Sequence, residues 1–261
     1  MNIEILIATM NQTDFSLVKK MNIHSDTIII NQSNKFDYEV KNIENKKIQM
    51  YTFNERGVGL SRNNALLRAT GDVVVFADDD VVYNDDYEEI IKEQFRIHKD
   101  ADMILFNLPS TNEKRPTAKI TKNRKVNIFS CMKFGAVNIA ARKDFIINNN
   151  ITFSLLFGGG AKYSSGEDSL FIYDILKNGG KVYTSTFEIG KVLQTDSSWF
   201  NGFNEKYFFD KGVFFYCMSK KFYLFWCIQF IIRHKKICSK LGTFKAFNLM
   251  LDGVKEIKKR S

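Results

Sequence analysis

The chain is short of several things, and each shortage narrows what it can be. It has four cysteines (Cys131, Cys217, Cys227, Cys238), three histidines and two prolines in 261 residues. None of the cysteines sits in a CxxC pair, so neither a disulfide scaffold nor a zinc site is expected, and reduced thiols in the cytosol are the plain reading. No apolar run approaches the ~20 residues of a spanning helix. The run Phe222 to Ile232 is eleven residues long and is bounded by Lys220-Lys221 and by Arg233, Lys235 and Lys236. Met1-Asn2-Ile3-Glu4 lacks the basic start and long apolar stretch of a secretory signal. Internal repeats and low-complexity tracts are absent too.

What is present suits a globular enzyme-sized domain. Hydrophobic residues make up 44% of the chain, enough for a sizeable core without cross-links. The net charge of +9 is uneven. Residues 211–261 carry twelve Lys and Arg against two acids, while the preceding 210 residues carry 26 against 27. An acidic partner would therefore meet the C-terminal end: anionic lipid, phosphate or nucleic acid.

Along the chain, 3–9 (IEILIAT), 26–31 (DTIIIN), a stretch near 47–53, 72–77 (DVVVFA) and 102–107 (DMILFN) read as strands. Helices are expected at 12–22, opened by Thr13 or Asp14; at 58–69, with Leu60, Asn64 and Leu67 on one face and Gly71 as the stop; and at 86–98, capped by Asp85 or Asp86. Strands buried on both faces and alternating with helices imply an open, largely parallel sheet. Residues 110–127 are polar and basic and read as a loop. A strand at 136–141, a short helix at 142–149, a glycine loop at 158–160, a helix at 167–178 ended by Gly179-Gly180, and a strand at 181–186 follow. Beyond about residue 200 aromatics crowd in, Trp199 and Phe200 among the first.

Asp78, Asp79 and Asp80 directly follow a buried strand. Ligands of open parallel sheets bind beyond the carboxyl ends of strands. Three adjacent carboxylates repel one another unless a cation or donors compensate, and a hard divalent cation does so. Alternate residues of an extended segment point the same way, which pairs Asp78 with Asp80 and makes Asp80 the firmer ligand. The competing reading is an acidic turn capping the next helix, a role that Asp85 and Asp86 already fill.

The run Asn54 to Asp80 (NERGVGLSRNNALLRATGDVVVFADDD) resembles the central signature of the family 2 glycosyltransferases: an N-x-G turn, a helix with an Arg-Asn pair, a glycine, a hydrophobic strand and Asp-x-Asp. Gly57, Arg62-Asn63, Gly71 and Asp78-x-Asp80 supply these in order over 27 consecutive residues. Two further segments extend the resemblance. Ala8-Thr9-Met10-Asn11 stands where the family has Pro-Thr-Tyr-Asn, and Asn31-Gln32-Ser33 where it has two acids and Gly-Ser. Glu167-Asp168 opens a helix, as in the family.

The resemblance implies a GT-A fold, a Rossmann-like α/β domain with a mostly parallel sheet flanked by helices, here with a helical, aromatic-rich C-terminal extension. The catalytic domain would cover 1–199, with a nucleotide-binding half at about 1–107 and an acceptor half at about 108–199, and the extension 200–261. It implies transfer of a sugar from a nucleotide-diphosphate donor, a UDP-sugar, to an acceptor hydroxyl with inversion, assisted by Mn2+ or Mg2+ on Asp80 and Asp78. Donor contacts fall to Thr9, Asn31, Gln32, Arg56, Gly57, Ser61, Arg62, Asp78, Asp79, Gly159 and Gly160. Asp168 would be the general base and Glu167 its orienting neighbour.

Several readings stay open. Gly57 and Gly59 let backbone approach a ligand, and the helix N-terminus near Ser61 favours a diphosphate. Arg62 is either a partner for phosphate or an ion-pair partner of the acidic cluster. Glu167 and Asp168 could simply cap a helix. Asn31 or Gln32 would read the base with an amide where the family uses a carboxylate. The tail is either a membrane-surface contact suited to a lipid-linked glycan acceptor or an aromatic packing appendage. Nucleic-acid binding is not expected, since no known module is present. The pathway implied is bacterial capsule or lipopolysaccharide assembly, in the cytoplasm or peripheral on the inner membrane face. The alternatives are a nucleotidyltransferase, which would need a Gly- and Lys-containing loop that residues 8–14 lack, and a non-catalytic membrane or glycan-binding protein.

Overall fold

Strand β1 (Ile3–Met10) sends alternate side chains into two separate cores, and this explains why the sequence shows unbroken apolar runs. Ile3, Ile5 and Ile7 enter one buried cluster; Leu6 enters the other. In β5 (Val73–Asp78), Val73, Val75 and Ala77 join the first and Val74 and Phe76 the second. A strand with helices on both faces has no wet side, and each fully buried Val, Ile or Leu contributes ~1.5–3 kcal/mol.

The computed structural model describes residues 1–113, 116–194 and 202–260. After β1 come α1 (Ser16–Lys20), β2 (Asp26–Gln32), β3 (Asp37–Ile43), β4 (Lys46–Phe53), α2 (Val58–Arg68), β5, β6 (Val81–Tyr83) and α3 (Tyr87–Ile97). Then follow β7 (Met103–Asn107), β8 (Arg124–Lys125), β9 (Ile139–Arg142), α4 (Lys143–Asn148), α5 (Glu167–Lys177), β10 (Val182–Glu188) and β11 (Gly190–Val192). Nine strands form one sheet in the order β3-β4-β2-β1-β5-β9-β7-β10-β8. Six of them (β4, β2, β1, β5, β7 and β10) run one way; β3, β9 and β8 oppose them. β6 and β11 make a separate antiparallel pair. The architecture is the mostly parallel α/β sheet flanked by helices expected of GT-A folds. Helices α1 and α3 pack into the first cluster, α2 and α5 into the second.

Local details depart from the sequence reading in instructive ways. The first helix is only five residues long, and Asp14 accepts the Ser16 N–H at 2.9 Å just ahead of it. β3, unexpected from sequence, is an exposed antiparallel edge strand whose polar residues hide the pattern. Asp86 occupies the N-cap position of α3 without a side-chain cap bond, and Asp85 accepts from Asn22 instead. In α2 the buried face is Gly59, Ser61, Arg62, Ala65 and Leu66, while Leu67 is 73% exposed. The helix ends at Arg68 with an extended Ala69, so Gly71 does not cap it. A Cβ at Gly71 would stand 2.7 Å from the Cβ of Glu4, and that close approach to β1 requires the glycine. Part of the expected loop at 110–127 pairs as β8 with β10.

The chain divides into two compact units, taken over their described residues: Met1–Leu155 with Glu167–Asp196, and Leu156–Gly166 with Ser197–Ser261. The boundary drawn from sequence at 199/200, with Trp199 and Phe200, lies outside the described residues. The second unit contains α6 (Glu205–Met218), α7 (Tyr223–Arg233), α8 (Lys235–Cys238) and α9 (Thr243–Lys258). Glycines let α6 and α9 touch backbone to backbone. A Cβ at Gly212 would meet the Met250 carbonyl at 1.8 Å, and one at Gly253 the Phe209 carbonyl at 2.1 Å. The α6 aromatics Phe208, Phe214 and Phe215 are buried. On α7, Trp226, Cys227 and Phe230 face inward, while Leu224, Phe225, Ile228 and Ile232 are exposed. Among the described residues no helix is long and apolar enough to cross a membrane.

Candidate active site

The carboxyl ends of β1 and β5 lie side by side, with Ala8 in register with Asp78. That pairing sets Thr9, itself buried, against the acidic cluster, and its hydroxyl donates to Asp79. Gln12 adds a second layer, donating from its side chain to Thr9 Oγ1 at 3.0 Å. Gln12 was not legible as a site residue; its one available signal was a polar side chain just past the strand end.

Arg62 is the centre of the arrangement. Its side chain is 4% exposed, on the buried face of α2, lying over the ring of Phe153 at 5.4 Å. Nη2 donates to Asp78 Oδ1 at 2.9 Å; Nη1 donates to Asp168 Oδ1 at 2.7 Å and to Glu167 Oε1 at 3.3 Å. One guanidinium therefore joins three carboxylates: Asp78 and, 89 and 90 residues further along the chain, Glu167 and Asp168. The ion-pair reading of Arg62 describes these contacts, and Nε is its one guanidinium nitrogen buried without a hydrogen bond. A planar fork presenting fixed donors is the side chain suited to such bridging.

The electrostatics follow from this geometry. Burial, then the neighbouring Glu167 charge, push the Asp168 carboxyl up to about 7, against the opposing pull of Arg62. The Ala136 N–H also donates to Asp168, a contact that no side-chain pattern could announce. Burial first, then the charges of Asp78 and Asp79, push the Asp80 carboxyl up. Asp80 is thus the member of the triplet whose ionised form has least compensation, since Asp78 has Arg62 and Asp79 has Thr9.

Among the described residues no three His, Cys, Asp or Glu side chains gather into a metal cage. The donor set is still appropriate to Mg2+ or Mn2+. Such ions are held by one or two carboxylates and complete their shell with water and substrate phosphates. Asp80, raised by burial and then by its like-charged neighbours, is a place where a cation would relieve repulsion. One oxygen of Asp78 is already committed to Arg62.

Other residues expected at the site have architectural contacts. Asn31 is fully buried: its amide donates to Gln12 O and Thr52 Oγ1 and accepts from Gln12 N. Both N–H donors are used, so it orders the β1 exit loop. Gln32 accepts the Gly57 N–H at 2.7 Å, and Arg56 donates to the carbonyls of Ser33 and Glu55. Together they hold the 54–57 turn, where Gly57 adopts φ +133, a conformation only glycine takes easily. Gly59 answers to packing: a Cβ there would meet the Ser154 carbonyl at 2.6 Å. Ser61 is fully buried and its hydroxyl has no partner. Asn63 clamps both backbone groups of Phe153, at 2.8 Å each. Gly159 and Gly160 belong to the second unit, in a turn where Gly160 has φ +80.

Residues 16–159 match the profile of glycosyl transferase family 2. No curated protein matches. Among solved structures, S. aureus TarS 1-349 in complex with UDP-GlcNAc is similar, with a TM-score of 0.62 at 14% identity over 82% of this chain and 66% of that one. The same fragment with UDP gives 0.60 at 15% identity, over 82% and 64%. S. aureus TarS gives 0.60 at 14%, over 82% and 39%. This chain thus spans two thirds or less of the length of these structures, and at such identities the likeness establishes the fold.

Proposed function

The chain belongs to glycosyl transferase family 2, and from that we propose that it moves a sugar from a UDP-sugar to an acceptor hydroxyl with inversion. Support comes from the Arg62 bridge, which ties Asp78 at the carboxyl end of β5 to Asp168 at the start of α5. Donor-side and acceptor-side acids then sit on one rigid cation, and the reacting groups are positioned before substrate arrives.

Asp168 acts as the base. Its carboxylate takes the acceptor hydroxyl's proton as that oxygen bonds to the anomeric carbon. The bond from that carbon to the phosphate oxygen breaks at the same time, and its electron pair leaves with the nucleoside diphosphate. A base titrating at about 7 is matched to neutral pH. Glu167, nearly buried, shares Nη1 of Arg62 with Asp168 and so orients the pair. Asp80 and Asp78 would hold Mn2+ or Mg2+, which when bound neutralises charge on the departing diphosphate. Thr9 keeps Asp79 directed beside the donor site.

The acceptor is a glycan or lipid-linked glycan of bacterial surface-polysaccharide assembly, such as capsule or lipopolysaccharide, reached from the inner membrane face. What favours a membrane surface is α7. Phe225, Ile228 and Ile232, at 45–63% exposure, form an apolar stripe flanked by Lys220, Lys221, Arg233, Lys235 and Lys236. Apolar side chains entering the interface and cations meeting anionic headgroups describe an interfacial helix.

The test separates binding from chemistry. Asp168→Asn should bind UDP-GlcNAc within about twofold of wild type and release UDP ~10²–10⁴-fold more slowly; wild-type release would remove Asp168 from the role. Asp80→Ala should lose the Mn2+-dependent part of donor affinity by calorimetry, and an unchanged Mn2+ response would remove it as a ligand.

A further inference from the structure

From Lys119 to Arg142 the chain carries six Lys and Arg and no Asp or Glu, and the chemistry proposed above uses none of those charges. Lys119, Lys122, Arg124 and Lys133 line one cavity of about 280 Å3, together with Thr121, Thr184 and the rings and methyls of Phe134 and Ile120. Among the described residues Lys119, Lys122 and Arg124 have no carboxylate partner. Like charges gathered around one concavity repel one another and raise the local concentration of anions.

The ledge that carries these cations is anchored at three places. Asn107, buried at the end of β7, exchanges hydrogen bonds with the backbone of Ile120 at 2.7 and 2.9 Å. Thr184 of β10 donates to the carbonyl of Lys122 at 2.8 Å and accepts the Arg124 N–H at 3.1 Å. Val126 N donates to Val182 O at 2.8 Å, and Ile120 and Val126 are themselves buried in the core. Solvated lysines on a free loop need no such fixing.

The cavity borders the proposed base through one short segment. Lys133 and Phe134 line it; the next two residues serve Asp168. The Ala136 N–H donates to the Asp168 carboxylate, and a Cβ on Gly135 would stand 3.6 Å from Asp168 Oδ2. On the α5 side, the Ser169 hydroxyl donates to Met132 O at 3.4 Å.

The geometry points to this cavity as an anion subsite for the acceptor: the acceptor carries a phosphate group, seated among Lys119, Lys122, Arg124 and Lys133, while its hydroxyl meets Asp168. The assignment of the acceptor rests on the family 2 reading of Asp168 as base; the anion subsite itself does not. Arg and several Lys around one space suit the multiple oxygens and double charge of a phosphate. The volume accommodates one phosphorylated unit, near the lower end of ~300–1,000 Å3 small-molecule sites.

The test compares glucose 6-phosphate with glucose, titrated calorimetrically into the full chain with and without UDP and Mg2+. Glucose 6-phosphate should bind at least ~10-fold tighter, and K122A/R124A should abolish that preference. An unchanged melting temperature certifies that the variant is folded, since both side chains are exposed. Equal binding of the two sugars, or a preference that survives K122A/R124A, overturns the subsite. A parallel arm uses phosphatidylglycerol vesicles: if the variant loses vesicle binding yet keeps the sugar phosphate preference, the cations serve lipid headgroups and the proposal fails. Should UDP-GlcNAc not bind while the phosphate preference holds, the donor reading falls and the anion subsite stands.

Discussion

Replacing Asp168 by asparagine should make the protein more stable at alkaline pH while removing its chemistry. Burial and the Glu167 charge raise the Asp168 carboxyl from 3.8 to about 7 in the folded chain. Between those values the folded state holds a proton that the unfolded state releases. Stability therefore falls as pH rises through this window, because the native state binds more protons than the unfolded one. Above pH 7 the ionised group costs up to ~4 kcal/mol, with the attraction of Arg62 already included. Asparagine has the shape of the protonated acid and no proton to lose. The variant should melt like wild type at pH 4 and higher than wild type at pH 8. Even a quarter of the ceiling, ~1 kcal/mol, raises Tm by about 2–4 °C in a chain of this size. Thermal melts followed by circular dichroism at pH 4, 6 and 8 measure it. A variant that melts lower at pH 8, or differs from wild type by the same amount at every pH, refutes the account of Asp168 as a partly buried acid whose charge is disfavoured beside Glu167.

Other consequences follow from the same structure. Arg62→Gln removes the cation that holds Asp168 down, so the acidic limb of the pH–rate profile for UDP release should move up by about one pH unit or more; an unmoved limb would dissociate Arg62 from the base. The same change leaves three carboxylates without their shared partner and should cost ~3–5 kcal/mol in denaturant titrations. Gly59→Ala drives a Cβ to 2.6 Å from the Ser154 carbonyl and should lose ~1–3 kcal/mol, whereas an unchanged Tm would show that α2 can shift freely. Ile228→Asp with Ile232→Asp should weaken sedimentation with phosphatidylglycerol vesicles by ~10-fold or more, since each charge opposes insertion of an apolar face; unaltered sedimentation removes α7 as the contact.

The elements most readable in advance were those whose signal is local. Strands β1, β2 and β5 declare themselves because burial on both faces demands continuous apolar residues. The Gly179-Gly180 stop of α5 is likewise local: Gly179 takes φ +84, and the N–H groups of both glycines return to carbonyls of the last turn. β3 escaped because an exposed edge strand needs no apolar pattern, only a paired neighbour. The roles of Gly59 and Gly71 were misread for a related reason. Both serve close approaches to segments distant in sequence, at Ser154 and Glu4, which local spacing does not encode.

By itself, the amino-acid order determined the parallel α/β core, the position of the acidic triplet at a strand's carboxyl end, and the acids opening α5, because periodicity and strand termini are short-range properties. Only the tertiary structure decided that Arg62 joins Asp78 to Asp168, that Asn31 and Gln32 brace backbone, and that four cations line one cavity with Phe134. Those outcomes depend on which buried polar groups find partners across the sheet. Desolvation makes an unpartnered charge too costly to leave alone, and the partner is chosen by the fold, not by proximity along the chain.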